Sequence, residues 1–227
     1  MRELNLDRND LDGRKLRILK DFIAANNGLL SLSMNTCRLY HEGAFLISQG
    51  LLRNRKLKSL MLSNNNFLDE GLDYFSDVID QNSSLEHLDL SKNTLSDLGI
   101  LPFAKSLASN RSLVTMNLRH NQIGKEGGIA LREAVTAHKY MIRLFLEDNA
   151  IQIRDIEDID RMCLKNREER AKRRMPQFEQ ELGLLIKGHK RAEVQETFLQ
   201  LGLLKMTFDG ADENRVMMEQ ELKEIKK

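Results

Sequence analysis

The chain repeats itself every 28 residues, and no other feature restricts its fold as strongly. Leu85, Leu88, Leu90, Asn93 and Leu95 form the pattern L-x-x-L-x-L-x-x-N-x-L. In the next repeat the same slots hold Leu113, Met116, Leu118, Asn121 and Ile123, and in the one before they hold Leu57, Leu60, Leu62, Asn65 and Phe67. Further out they hold Leu29, Leu32, Met34, Cys37 and Leu39, then Met1, Leu4, Leu6, Asn9 and Leu11, and finally Met141, Leu144, Leu146, Asn149 and Ile151. Six repeats therefore start at 1, 29, 57, 85, 113 and 141, without insertion or deletion.

Each half of the repeat has its own physical signature. Side chains alternate along a strand, so the L-x-L pair points two residues into a core and sends its neighbours outward. The Asn slot ends the strand, where an amide can satisfy backbone groups of the turn and stack on the Asn of the next repeat. Cys37 replaces Asn in the second repeat, and a small thiol with weak hydrogen-bonding capacity fits there as a structural residue. The second half shows helical spacing: Leu72, Phe75 and Ile79; Ala104, Leu107 and Ala108; Ile129, Leu131, Ala134 and Val135. Polar turns such as Asn26-Asn27-Gly28, Asn54-Arg55-Lys56, Asn82-Ser83-Ser84 and Asn110-Arg111-Ser112 stop the helices. Pro102 is expected at the start of the fourth helix, where its missing N–H costs nothing.

A 28-residue strand–helix unit resembles the ribonuclease-inhibitor type of leucine-rich repeat. The resemblance covers residues 1–168 and implies an α/β solenoid, with a curved parallel sheet inside and helices outside. The residues that follow, 169–227, read by their own amphipathic spacing as a C-terminal helical extension. It identifies the repeat class and no particular member.

Composition removes several function classes. The 227 residues carry a formal net charge of +1, so bulk electrostatics predicts neither a nucleic-acid nor a membrane partner. No apolar run approaches the roughly 18 residues of a membrane span. The first residues already belong to a repeat strand rather than a signal peptide. Cys37 and Cys163 lie four repeats apart and are not expected to meet. With no cysteine-rich flanking cap either, a reduced, cytoplasmic protein is expected. Gly124-Lys125-Glu126-Gly127-Gly128 lacks phosphate-loop spacing, and Asp209-Gly210-Ala211-Asp212 lacks calcium-loop spacing. The five histidines show no metal-ligand spacing, and no serine is framed as a nucleophile. No catalytic residue, metal, cofactor or small-molecule substrate is expected.

The third, fifth and seventh positions of each repeat should line the concave face, and they are mostly small and polar. Met61 and Phe145 interrupt them as candidate contact anchors. With His87, Asp89, Arg119 and Arg143 they form the expected partner-binding set. A second candidate is the basic run Arg167, Arg170, Lys172, Arg173 and Arg174. From 161 to 174 there are seven basic and two acidic residues, enough to hold phosphate or an acidic protein tail or to form a solvated helix end that the helix dipole favours.

Both ends of the repeat array invite contact. The first coil has no cap before it, which would leave Leu4, Leu6, Leu16, Leu19 and Ile23 open on one edge. A longer N-terminus, a partner chain or plain tolerance of exposure would each account for that. Beyond Pro176, Phe178, Leu182, Leu185 and Ile186 form one amphipathic stripe, and Val194, Phe198, Leu201 and Leu204 a second. They must bury their apolar side on the last coil, on each other or on a partner. The expectation is a non-enzymatic interaction scaffold, a subunit of a larger cytoskeletal or ciliary assembly, an analogy of architecture alone. Two alternatives come from similar repeat proteins: GTPase activators of the Ran kind and pointed-end actin-capping proteins of the tropomodulin kind.

Overall fold

A computed structural model of the chain describes residues 1–185, with side chains through residue 173. The chain divides into two compact units, Met1–Asn166 and Arg167–Lys227. In the first unit six short parallel strands form one sheet in sequence order: β1 Glu3–Asn5, β2 Ser31–Ser33, β3 Ser59–Met61, β4 His87–Asp89, β5 Thr115–Asn117 and β6 Arg143–Phe145. They alternate with helices α1 Gly13–Ala25, α2 Tyr40–Arg53, α3 Leu68–Gln81, α4 Asp97–Ser109, α5 Lys125–Ala137 and α6 Ile153–Leu185. Leu32, Leu60, Leu88, Met116 and Leu144 stand in one register row, each paired with the residue one repeat away. One continuous core runs between sheet and helices from Leu16 to Cys163. The fold is the α/β leucine-rich-repeat solenoid that the period predicts.

Two amide ladders tie the coils together. In the first, the Oδ1 atoms of Asn65, Asn93 and Asn121 accept the backbone N–H of Cys37, Asn65 and Asn93, at 2.8, 2.9 and 2.9 Å. Their Nδ2 atoms donate to carbonyls of the preceding coil, Met34, Leu62 and Leu90. Cys37 holds its slot with a thiol that donates to the Leu6 carbonyl at 3.1 Å. Burial pushes that thiol's pKa up, and both cysteines are free and buried. The second ladder runs along the helix C-termini. Asn54, Asn82 and Asn110 donate to the Ile23, Leu51 and Ile79 carbonyls, and each Oδ1 accepts two N–H groups of the following turn.

His138 fills the fifth rung of this second ladder. Its Nδ1 accepts from the N–H of Tyr140 and Met141, at 3.2 and 3.0 Å, so Nδ1 carries no proton and the ring is neutral. Its Nε2 lies 3.4 Å from Asn110 Oδ1, where an Nε2–H donates. Burial lowers the ring's pKa to about 4. Asn166 completes the sixth rung, donating to the His138 and Met141 carbonyls.

Three residues past the end of each strand the backbone is left-handed in every coil. Arg8, Thr36, Asn64, Lys92, His120 and Asp148 have φ between 54° and 59°. The turn aims their N–H groups across the sheet: Arg8 N–H donates to the Asn35 carbonyl, and Thr36, Asn64, Lys92 and His120 repeat that bond. None is glycine, so each carries a modest backbone strain. Tyr40 and Leu68 are left-handed as well, at 50° and 56°, and both are exposed.

Two expectations need correction. Pro102 lies inside α4, because Ser96 caps the helix earlier by accepting the Leu98 N–H. It is tolerated on a flank where Leu98 and Leu101 are exposed. Nor does the first coil leave its helix open: Leu16, Leu19 and Ile23 are buried, because α2 packs along α1. Leu4, Leu6, Leu11 and Phe22 are half-buried there. The inward set of the sixth helix is as expected, with Ile159 and Cys163 buried and Ile156 and Met162 half-buried. The helix α6 continues through Pro176 to Leu185. The side chains of the first tail stripe and the whole second stripe lie outside the described residues.

Asn93→Ala removes the acceptor of the buried Asn65 N–H. It should cost about 1–3 kcal/mol for that orphaned donor alone, read as a lower urea midpoint. Leu88→Asp, which buries an unpaired charge, should cost more and prevent folding at moderate temperature. For His138 the sign is set by its lowered pKa: the unfolded chain takes up a proton near pH 6.5 and the folded one only near 4. The stability that neutral His138 supplies is therefore intact above pH 6.5 and lost as pH falls toward 4. His138→Asn should keep the fold and flatten the stability–pH curve in that window, measured by urea titrations at each pH.

Candidate partner-binding surface

Strand geometry brings the outward positions of the six coils into rows. The register aligns Glu3, Ser31, Ser59, His87, Thr115 and Arg143 in one row, and Asn5, Ser33, Met61, Asp89, Asn117 and Phe145 in the next. Together with Asp7, Asn35, Ser63, Ser91, Arg119 and Glu147, these residues make the strand face.

Much of that face is internally hydrogen-bonded. Asp7 accepts from the Ser33 hydroxyl at 2.6 Å and the Asn35 N–H at 2.7 Å. Burial works to raise the Asp7 pKa, but these bonds together outweigh it and the carboxyl is held below its usual value. Asn35 Oδ1 accepts the Ser63 N–H, and the Ser91 hydroxyl donates to Ser63 Oγ at 2.9 Å. Asp89 accepts the Ser91 N–H and, at 3.1 Å, an Asn117 Nδ2–H. The row ends in Arg119, which donates twice to Glu147, at 2.5 and 2.6 Å. The polar groups of this face largely satisfy one another, so what stands out from it are the groups above that network.

The sixth coil supplies such a group. The Phe145 ring is half-buried between two guanidiniums: the Arg119 Cζ stands 4.4 Å and the Arg143 Cζ 5.1 Å from its centroid, within cation–π range. Arg143 is exposed. On α6, Asp160 has its pKa raised by burial and by the Glu147 charge, against the pull of Arg143. Glu147 itself is lowered to about 2, first by the hydrogen bonds from Arg119. Its side chain is 58% exposed and that of Arg119 38%, so solvent screening keeps the pair's contribution to stability small.

The structure brings together some of the candidate residues and separates others. Arg119, Arg143 and Phe145 form one cluster. His87 touches the Thr115 hydroxyl with Nδ1 at 2.7 Å, next to Arg143 in the same row. Asp89 belongs to the polar network. Met61 is half-buried and shares a row with Phe145, but three strands away, or roughly 14 Å at about 4.8 Å per strand. Glu147 was not singled out from the sequence, although the 28-residue offset from Arg119 was a usable signal for the pair. In the second unit Arg167 and Arg170 are half-buried, Lys172 and Arg173 are exposed, and Arg173 pairs with Glu169 at 3.0 Å. The Arg174 side chain lies outside the described residues. Among the described residues no group of histidines, cysteines and carboxylates could hold a metal ion, and no described helix is long and apolar enough to cross a membrane.

The family model described as "Leucine Rich repeat" matches residues 53–76, 81–104 and 109–131, within repeats two to five. With six in-register coils built on the 28-residue unit, the chain is a leucine-rich-repeat protein. Among solved structures it is similar in fold to the leiomodin-1 actin-binding site 2 (ABS2), with a TM-score of 0.51 and 14% identity. The match covers 79% of this chain and 88% of that one. None of the curated proteins matches the chain in sequence. Repeat modules of this class present surfaces for protein interaction.

Glu147→Gln should lower stability by less than about 1 kcal/mol, despite the close Arg119 pair. A chemical-denaturation difference well above that would mean that the pair organises the sixth coil.

Proposed function

We propose that this chain is a non-enzymatic protein–protein interaction scaffold, working as a subunit of a cytoplasmic assembly of cytoskeletal or ciliary type. The observation that carries this reading is the sixth-coil cluster. An aromatic ring flanked by two arginines, set beside a rigid and self-satisfied polar face, has the composition favoured at the centres of protein interfaces. Its contact set is Met61, His87, Asp89, Arg119, Arg143 and Phe145. The basic segment with Arg167, Arg170, Lys172, Arg173 and Arg174 is a second contact for an acidic partner, carried by a helical extension that begins at about residue 169. The fold-level likeness to an actin-binding domain makes actin the first partner to test, as an analogy of architecture.

The test is cosedimentation and pointed-end exchange with purified actin, alongside crosslinking to identify what meets the strand face. Binding through this face should weaken by well over tenfold in the Phe145→Ala, Met61→Ala double variant, because a buried anchor is worth about 2 kcal/mol or more. Circular dichroism should show the fold intact. Capture that survives the double substitution would move the interface to the helices or the edges. Accelerated GTP hydrolysis by a small GTPase, with no actin effect, would replace the cytoskeletal reading.

A further inference from the structure

The outer helices of the first three coils carry charges sorted by helix. α1 holds Arg14, Lys15, Arg17 and Lys20 against the single acid Asp21. α3 holds Asp69, Glu70, Asp73, Asp77 and Asp80 and no basic residue. Between them lies α2, packed on both, with Phe45 42% exposed. The Phe45 ring meets Tyr74 of α3 edge-on at 5.1 Å, so an aromatic step links the middle helix to the acidic one. On α1 the exposed apolar residue is Ile18, at 65%. Arg14, Arg17, Glu70, Asp73 and Asp77 are exposed, and within the described chain none of them has an ion-pair partner.

The 28-residue period converts this sorting into self-complementarity. A two-fold axis parallel to α2 would lay α1 of one copy over α3 of another, and the reverse, with equal repeat positions at equal heights. Arg14 then faces Glu70, Arg17 faces Asp73, and Ile18 faces Tyr74, while Phe45 meets its own copy on the axis. Each of these pairs lies at one position of the repeat, 56 residues apart in sequence or at the same residue. Three positions oppose the arrangement: Asp21 faces Asp77, and Glu42 and Arg53 of α2 each meet their own copy. Asp21 is already paired with Lys20 at 3.1 Å, which softens the first. Like charge is also uncomfortable within α3 alone, where burial and then the charges of Asp69, Glu70 and Asp77 raise the Asp73 pKa.

We infer that the α1–α2–α3 face is an interface between two copies of this chain, joined in an isologous, two-fold dimer. Three helices about 10 Å apart and about 20 Å long present roughly 600 Å², at the lower edge of specific interfaces. The dimer is therefore weak and strongly salt-dependent. It leaves the strand face on the opposite side of each copy open, so dimerisation would double any partner site there.

Sedimentation velocity of the full chain tests this, run over a concentration series as ionic strength rises from about 0.01 M to about 1 M. Over that range the screening length falls from about 30 Å to about 3 Å. A monomer–dimer equilibrium that weakens about tenfold or more with salt is expected. Arg17→Glu should abolish it, and Arg17→Glu combined with Asp73→Arg should restore it, because the exchanged charges face each other again. Both sites are exposed, so the fold should survive, with circular dichroism as the check. Phe45→Ala should weaken the dimer at every ionic strength. A chain that stays monomeric at low salt, a dimer indifferent to Arg17→Glu, or a charge exchange without rescue would each overturn the inference. A monomer that binds a basic helical peptide through Asp73 would assign the face to a basic partner instead.

Discussion

The repeat depends on buried side-chain amides that stitch each coil to the one before. The strand-closing Asn takes an N–H from the preceding coil and gives its own to a carbonyl there, and the helix-closing Asn gives to the preceding coil while taking two N–H groups of its own turn. Three-residue strands leave most of each turn without a sheet partner, and a buried backbone group without a partner is costly. The Asn row closing the strands and the row closing the helices meet that demand on both sides of the core. Apolar packing fills the interior, but it is tolerant of which hydrophobic residue sits where. The amides are less so, because donor and acceptor must sit one strand apart. The period holds so strictly because an inserted residue would break both ladders in both directions.

This dependence explains what could be read from the sequence. The Leu slots and the first Asn row are legible because one residue type recurs at one spacing. The second row was visible only as a set of polar turns, since Asn26, Asn54, Asn82 and Asn110 look like ordinary helix stops, and Asn166 lies inside a helix and gave no such signal. His138, in line with them, shows the rule behind the pattern: the slot selects an acceptor for two N–H groups, whatever atom supplies it. Pro102 misled because helix starts were placed by the Pro preference, whereas the hydroxyl of Ser96 sets the start.

The binding face was less legible, for a different reason. Which positions point outward follows from strand alternation, and all six chosen residues stand on that face. What each one does there depends on its neighbour one coil away. Asp89 serves Ser91 and Asn117, and Phe145 is gripped by Arg119 and Arg143. Such roles belong to pairs at a 28-residue offset, and a list of single residues does not contain them.

The left-handed residue three positions past each strand has a consequence of another kind. Arg8, Thr36, Asn64, Lys92, His120 and Asp148 hold one backbone conformation with six different side chains. No atom of those side chains is needed to form the turn. The position is thus a row of free lettering along the rim of the sheet. Substitution there can rewrite the chemistry presented to a visitor while the coil underneath stays the same, and a protein of this design can change whom it greets without relearning how to fold.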